Sequence, residues 1–275
     1  MKKCILFLLV LSHVAVFAQR KPKIKGSKNV IEVREELPAF NAIELNDDLD
    51  INIQRSGAPG YTITADDNLI DVLKFKVEDS TLVVTSFYKI TAKKKLEITI
   101  NYKDLNQITL REGKLKMKDR ILTDELRVDT FGSSKLELNA DATITHINME
   151  GNCSGDLNIN SDSLNIVLKD RIDVRIYAVS ETNTVAMYKN AAVKMDGTTD
   201  TLRLNLVGNA NFKGAKLEAA SAIATLEDSP TARVYAYKDL ELDSRGTSKT
   251  YAYGPGKITI LEFLNSSELH RKEDK

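Results

Sequence analysis

The stretch "MEGNCSGDLNIN", residues 149–160, sets an apolar Met149 before a small polar turn around Gly151 and Gly155, and then the alternating pair Leu157 and Ile159. Just upstream, "VDTFGSSKLELN", residues 128–139, repeats the plan: Val128, a turn at Gly132, then Leu136 and Leu138. Laid out from about residue 122 onward, the chain reads as rungs. Val128, Met149, Ile166 and Val185 are each followed eight positions later by an apolar residue (Leu136, Leu157, Val174, Val193), and two further on by another (Leu138, Ile159, Ile176, Met195). The rung starts at 128, 149, 166 and 185 recur with a period of roughly 17 to 21 residues, at the short end of the range for solenoid repeats. A strand–turn–strand unit of this size cannot bury its apolar side alone. Stacked, each strand pairs with its equivalents above and below, and one core runs through the pile.

The same period-two alternation fills the region from about Val30 to Phe263, in segments such as "KLEITINY", "LRLNLVG" and "KITILEF". Successive side chains of such segments point to opposite faces, so each is a short strand with one side toward a core. Only "NLIDVLKFKV" (residues 68–77) has apolar residues crowded enough for a helical turn. The rival architecture, an antiparallel sandwich, needs tight hairpins. Between the alternating runs the only Asn-Gly or Asp-Gly pair is Asp196-Gly197, which favours a right-handed parallel β-helix or related β-solenoid. Residues 30 to about 120 repeat less regularly and read as an edge layer or cap.

The N-terminus reads differently. Lys2 and Lys3 precede the apolar run "CILFLLV", and Val16 and Ala18 precede Gln19, the pattern of a secretory signal over residues 1–18. Cys4 lies ahead of the apolar core, where a lipoprotein cleavage box would not put it, so no lipid anchor is expected. No later stretch approaches the roughly 20 apolar residues that span a bilayer. The expected destination is the periplasm, the cell surface or the exterior. Residues 19–28, basic with Pro22 and Gly26, read as a flexible leader, and the polar residues 264–275 as a frayed tail, leaving 29–263 as the folded domain. Removing the signal takes away Lys2 and Lys3 and no acid, so the balance of 39 basic against 39 acidic residues turns slightly negative. That balance argues against a nucleic-acid partner. Losing the signal's Cys4 also leaves Cys153 without a disulfide partner, expected as a small core or turn residue rather than a nucleophile.

Particular residues carry a family resemblance. "GSKNVIEVREELPAFNAIELNDDLDINIQ" resembles the opening of the autotransporter adhesin head, or GIN, domain, a family of exported bacterial proteins also described as a domain of unknown function. Phe40, Ile43, Leu45, Ile51 and Ile53 occupy its Phe-before-Ile and alternating positions, and "YAYGPGKI" is similar to its closing segment, with Pro255 directly after Gly254. The family's paired turn glycines are replaced here by Asn152-Cys153, Asp170-Arg171 and Asn209-Ala210. The resemblance implies a β-helical fold and an envelope or surface role, and it brings no catalytic residues.

Chemistry-bearing residues are few. Without the signal's His13 the histidines are His146 and His270, and neither sits in a nucleophile or zinc-site pattern. The acidic groups Asp47, Asp48 and Asp50, and Asp66 with Asp67, fit solvated turns, since no Asp recurs at one rung position; an enzyme acting on polysaccharide would need two carboxylates in a cleft. No cofactor or metal is expected. The basic run "TAKKKLEI" (91–98) fits protection of a strand edge. More suggestive are the tyrosines: Tyr235 and Tyr237 precede Tyr251 and Tyr253 at equal spacing, with Tyr177 and Tyr188 in neighbouring rungs. With Val234 and Ala236 inward, the rings face outward, and stacking is expected to set Tyr235 beside Tyr251. Such a ladder offers flat, polar-edged area to a glycan or a surface or envelope protein. It would equally serve only to stabilise the sheet, by roughly 0.2–1 kcal/mol per pair. The expected function is a non-catalytic envelope or surface binding module, with a polysaccharide-processing enzyme and a purely structural periplasmic protein as alternatives.

Overall fold

The computed structural model describes residues 21–272, so the signal expected over residues 1–18 lies outside the described residues. Strand makes up 73% of the protein, wound into a β-solenoid of about 9 turns.

The N-terminal part builds the closed end. Its strands are β1 (Lys23–Lys25), β2 (Val30–Glu36), β3 (Ala42–Leu45), β4 (Asp50–Arg55) and β5 (Gly60–Asp66); after the short helix α1 (Asp67–Ile70) come β6 (Leu73–Glu78), β7 (Thr81–Ser86), β8 (Lys89–Ala92), β9 (Leu96–Tyr102), β10 (Gln107–Leu110) and β11 (Lys114–Met117). Strands β3 and β4 stack in parallel on β10 and β11, and on their other side on β7 and β9. Beyond that the ladder turns antiparallel: β5 lies against β9, β2 against β5, and β6 against β7. The β6–β7 hairpin turns on Asp79 and Ser80, both at positive φ (47° and 62°). Both central residues of a type I′ turn need positive φ, so a tight hairpin forms here without glycine. Residues 68–77 divide between α1 and β6, a helical turn followed by a strand.

Two expectations about the ends are corrected. The leader read as flexible carries β1, which pairs in parallel with β8, and the tail read as frayed carries a strand, Glu268–Arg271, paired with Lys249–Tyr253. Unpaired backbone groups along a sheet edge gain from any partner, and polar composition alone does not reveal one.

The regular coils follow: β12 (Ile121–Thr130), β13 (Lys135–Gly151), β14 (Ser154–Asp170), β15 (Asp173–Lys189), β16 (Ala192–Gly208), β17 (Asn211–Asp228), β18 (Thr231–Ser244), β19 (Lys249–Tyr253), β20 (Lys257–Phe263) and β21 (Glu268–Arg271). Lys135, Ser154, Asp173, Ala192 and Asn211 are stacked partners at equal intervals along the chain, and that interval is one coil. Each coil runs along one face, bends, and continues along a second. In β15 the buried residues are Val174, Ile176 and Ala178 before the bend and Asn183, Val185 and Met187 after it, so the alternation changes phase around Glu181. Hydroxyls satisfy the backbone there: Ser161 donates to the carbonyls of Thr143 (3.2 Å) and Ser163 (3.0 Å), and Thr199 likewise to Glu181 and Thr201.

The opposite corner is a left-handed column. Gly132, Gly151, Asp170, Lys189, Gly208, Asp228, Gly246 and Asn265 all have positive φ, one per coil. At Gly151 a Cβ would lie 2.7 Å from the carbonyl oxygen of Gly132 in the coil below, so glycine is required there by approach as well as by φ. Next to it runs a second column, Ser134, Cys153, Ile172, Ala191 and Ala210, linked through backbone hydrogen bonds from each following residue. The rung register needs one correction. Val128 stacks on Ile147, Ile166 and Val185, whereas Met149 stacks on Leu168 and Met187, two positions away. The same spacing across a turn holds in both columns, so spacing alone did not separate them.

Candidate functional site

Where coils stack, a residue's outward neighbours are set by register, and the predicted tyrosines follow that rule. Val234, Ala236 and Ala252 are buried, and Tyr235, Tyr237, Tyr251 and Tyr253 lie on the outer side, Tyr237 with 44% of its surface exposed. The pairing differs from expectation: Tyr235 sits opposite Tyr253, while Tyr251 sits between Arg233 and His270. Tyr251 stacks on His270 with ring centroids 5.0 Å apart and 15° between planes. The Arg233 guanidinium lies 5.2 Å from the Tyr251 ring centroid, and the Lys272 ammonium 5.4 Å. Tyr237 sits beyond the last paired residue, at the bend, with Lys238 over its ring. Tyr177, 52% exposed, shares the face of Tyr235 and Tyr253, whereas Tyr188 lies past the bend on the second face.

The same register assembles a feature that no local motif announces. Asp156, Arg175, Lys194, Lys213, Arg233, Tyr251 and His270 occupy one outward column on successive coils. Four consecutive members are cations. Arg175 makes a two-pronged pair with Asp156, including an Nη2–Oδ2 contact of 2.9 Å, and Lys194 lies 3.2 Å from Asp196. Among the described residues neither Lys213 nor Arg233 has a carboxylate within ion-pair distance. Shallow depressions run along this face, one bordered by Lys135, Glu137, Asp156 and Arg175, the next by Asn158, Arg175, Tyr177 and Lys194. These cations stand a full coil apart in sequence, so only a layout at the coil period would have found them.

The other candidates resolve into structural roles. Cys153 is buried at the corner column, its thiol donating to the Glu150 carbonyl (3.3 Å), and burial pushes its pKa up, away from the reactive thiolate. His146 is outward, 3.9 Å from Glu125. Asp66 is fully buried and accepts from the backbone N–H groups of Lys94 (3.0 Å), Lys28 (3.2 Å) and Lys95 (3.2 Å), the Lys94 bond foremost in holding its carboxyl below the ordinary range. Asp67 accepts from Asn29 (2.8 Å) and from the Ser27 hydroxyl, and Asp47 from the Ser86 N–H (2.7 Å). These carboxylates clasp the leader and the Lys93–Lys95 loop to the closed end. Among the described residues no group of three or more His, Cys, Asp or Glu is arranged to hold a metal, and no helix is long and apolar enough to cross a membrane.

Comparison with known proteins agrees with this architecture. A family model described as "Putative auto-transporter adhesin, head GIN domain" matches residues 39–157 and again 143–256. Among solved structures, one described as a putative adhesin from Parabacteroides merdae superposes with a TM-score of 0.66 at 14% identity, covering 91% of this chain and 99% of that one. Another putative adhesin, from Parabacteroides distasonis, gives 0.66 at 16% identity over 90% of this chain and 99% of that one. A protein described as a putative lipid binding protein from Parabacteroides distasonis gives 0.63 at 19% identity, with 91% and 99% covered. At these identities the likeness concerns the fold. No curated protein matches in sequence.

Proposed function

This chain belongs to the family of the auto-transporter adhesin head GIN domain, and from that premise we propose that it is an exported, non-catalytic binding module. Its tyrosine-bearing outer face engages glycans or a surface partner. The observation that carries the reading is the aromatic group of the last coils, where Tyr235 lies opposite Tyr253 and Tyr251 stacks on His270, all outside the core. Aromatic rings on a rigid sheet present large contact area at little conformational cost. The family name supports adhesion, and the clasping roles of the acidic clusters support a non-catalytic protein.

Two experiments test this. Protease digestion of the protein on intact cells, compared with cells whose outer membrane is permeabilised, locates it. Digestion on intact cells is the expected result, and digestion only after permeabilisation would end the case for direct adhesion. A glycan array probed with the mature chain and with Tyr235→Ala/Tyr253→Ala then tests the face: loss of retained glycans in the variant is expected, and unchanged retention would remove the tyrosines from the reading.

A further inference from the structure

We infer that the ligand of this face is a linear anionic polysaccharide lying along the solenoid axis, its carboxylate or sulfate groups met coil by coil by Arg175, Lys194, Lys213 and Arg233. This rests on the reading that the face binds glycans, and adds the chemical class and direction of the ligand.

The argument starts from the strand spacing. Stacked strands lie about 4.8 Å apart, so four cations on consecutive coils form a straight file about 14 Å long. The whole chain carries equal numbers of basic and acidic residues, so the file is a local concentration and not a reflection of net charge. It has a definite beginning: the same column holds Glu137 and Asp156 on the two coils before Arg175. Its first two members are braced by Asp156 and Asp196, whereas Lys213 and Arg233 are left without a carboxylate partner among the described residues. Arg233 is held over the ring of Tyr251, which presents a guanidinium and an aromatic ring together.

The neighbouring outward positions select the kind of polyanion. Tyr177, Tyr235 and Tyr253 lie two positions along their coils from Arg175, Arg233 and Tyr251, placing aromatic faces where sugar rings of a chain along the file would rest. Asp173, Asp196 and Glu218 flank the file and Lys216 stands opposite Asp196 beside it, so the positive strip is narrow, one to two columns of side chains bordered by carboxylates. A single polysaccharide chain fits that strip, while the broad phosphate surface of a duplex would meet the flanking carboxylates.

The test uses the mature full chain in affinity electrophoresis through gels containing polygalacturonate, dextran sulfate or neutral dextran. Retardation by polygalacturonate, by dextran sulfate or by both is expected, the two gels separating carboxylate from sulfate recognition. Lys213→Gln/Arg233→Gln is expected to weaken the retardation at least about tenfold, the loss of two charge-assisted contacts. Lys93→Gln/Lys94→Gln removes the same two charges from the closed end and is expected to change nothing. Equal weakening by both pairs would reduce the effect to net charge and overturn the inference, as would no retardation by either anionic polymer. Retardation by neutral dextran that Tyr235→Ala/Tyr253→Ala abolishes and Lys213→Gln/Arg233→Gln retains would overturn the inference while leaving the tyrosine reading standing. Retention on the glycan array that is indifferent to the tyrosine pair would instead remove the reading beneath it.

Discussion

Asn183 offers a direct test of the stacking. Its column runs Leu126, Thr145, Leu164, Asn183 and Leu202, all fully buried. Thr145 is accommodated by donating to Ser161 (3.1 Å), but Asn183 accepts from Ser180 (2.7 Å) while its Nδ2 has no partner among the described residues. An unpaired buried amide costs about 1–3 kcal/mol, and burying a leucine in its place contributes about 1.5–3 kcal/mol. Against this stand the lost Ser180 bond, about 0.5–1.5 kcal/mol, and about 1–3 kcal/mol for the added volume. Leucine already occupies the same position on the coils above and below, so the step accepts its shape. At the middle of these ranges Asn183→Leu is expected to stabilise the protein by about 1 kcal/mol, raising the melting temperature by roughly 2–4 °C for a chain of this size. Chemical denaturation followed by circular dichroism reads this as a higher midpoint at unchanged slope. A lower midpoint at unchanged slope would refute the reasoning, since it would mean that the column does not present a leucine-shaped, dry position at that coil.

Gly151→Ala should destabilise by about 1–2 kcal/mol, because an L side chain in the left-handed region is strained and the added Cβ would meet the Gly132 carbonyl at 2.7 Å; an unchanged denaturation midpoint would contradict the corner geometry. The Cys153 thiol, buried and with its pKa raised by that burial, should resist a thiol reagent at about pH 8 until the protein is denatured, so rapid labelling of the native chain would contradict the corner placement. The Asp66 clasp has a pH signature. Its carboxyl is held below the ordinary range by the Lys94, Lys95 and Lys28 N–H groups, so its contribution is present above the unfolded carboxylate value of about 3.9 and is lost as pH falls through the lower folded value. Proteolysis within residues 23–29 should therefore be slow at neutral pH and accelerate with an acid-active protease below about pH 4, and Asp66→Asn should make it fast at neutral pH as well.

Much of the fold was legible because it depends on local rules. Alternation in "KLELNA" or "DVRIYAV" tells which side chains face inward, and the turn at Gly132 announces a corner, since both follow from the backbone of a few adjacent residues. The antiparallel cap was less legible. Asp79-Ser80 adopts a tight-turn geometry that composition assigns more readily to Asn-Gly, and β1 is too short to show any alternation. The burial of Cys153 and the outward tyrosines were legible for the same local reason. The cation file was not, because its members, from Arg175 to Arg233, each stand on a different coil with nothing in common nearby.

By itself, then, the sequence determined that this chain is a stack of short alternating strands with turns at small or left-handed residues, and which side of each strand is core. Period-two alternation is blind to how far away the partner strand begins, so the tertiary structure decided who stands next to whom. Backbone hydrogen bonds between coils lock a constant register from Lys135 to Asn211; it is lengthened by a single position between Lys213 and Arg233, through the irregularity in β17, and shortened by a single position between Tyr235 and Tyr253. Such small shifts choose whether Tyr235 meets Tyr251 or Tyr253, and whether four cations scattered along the chain stand in one line.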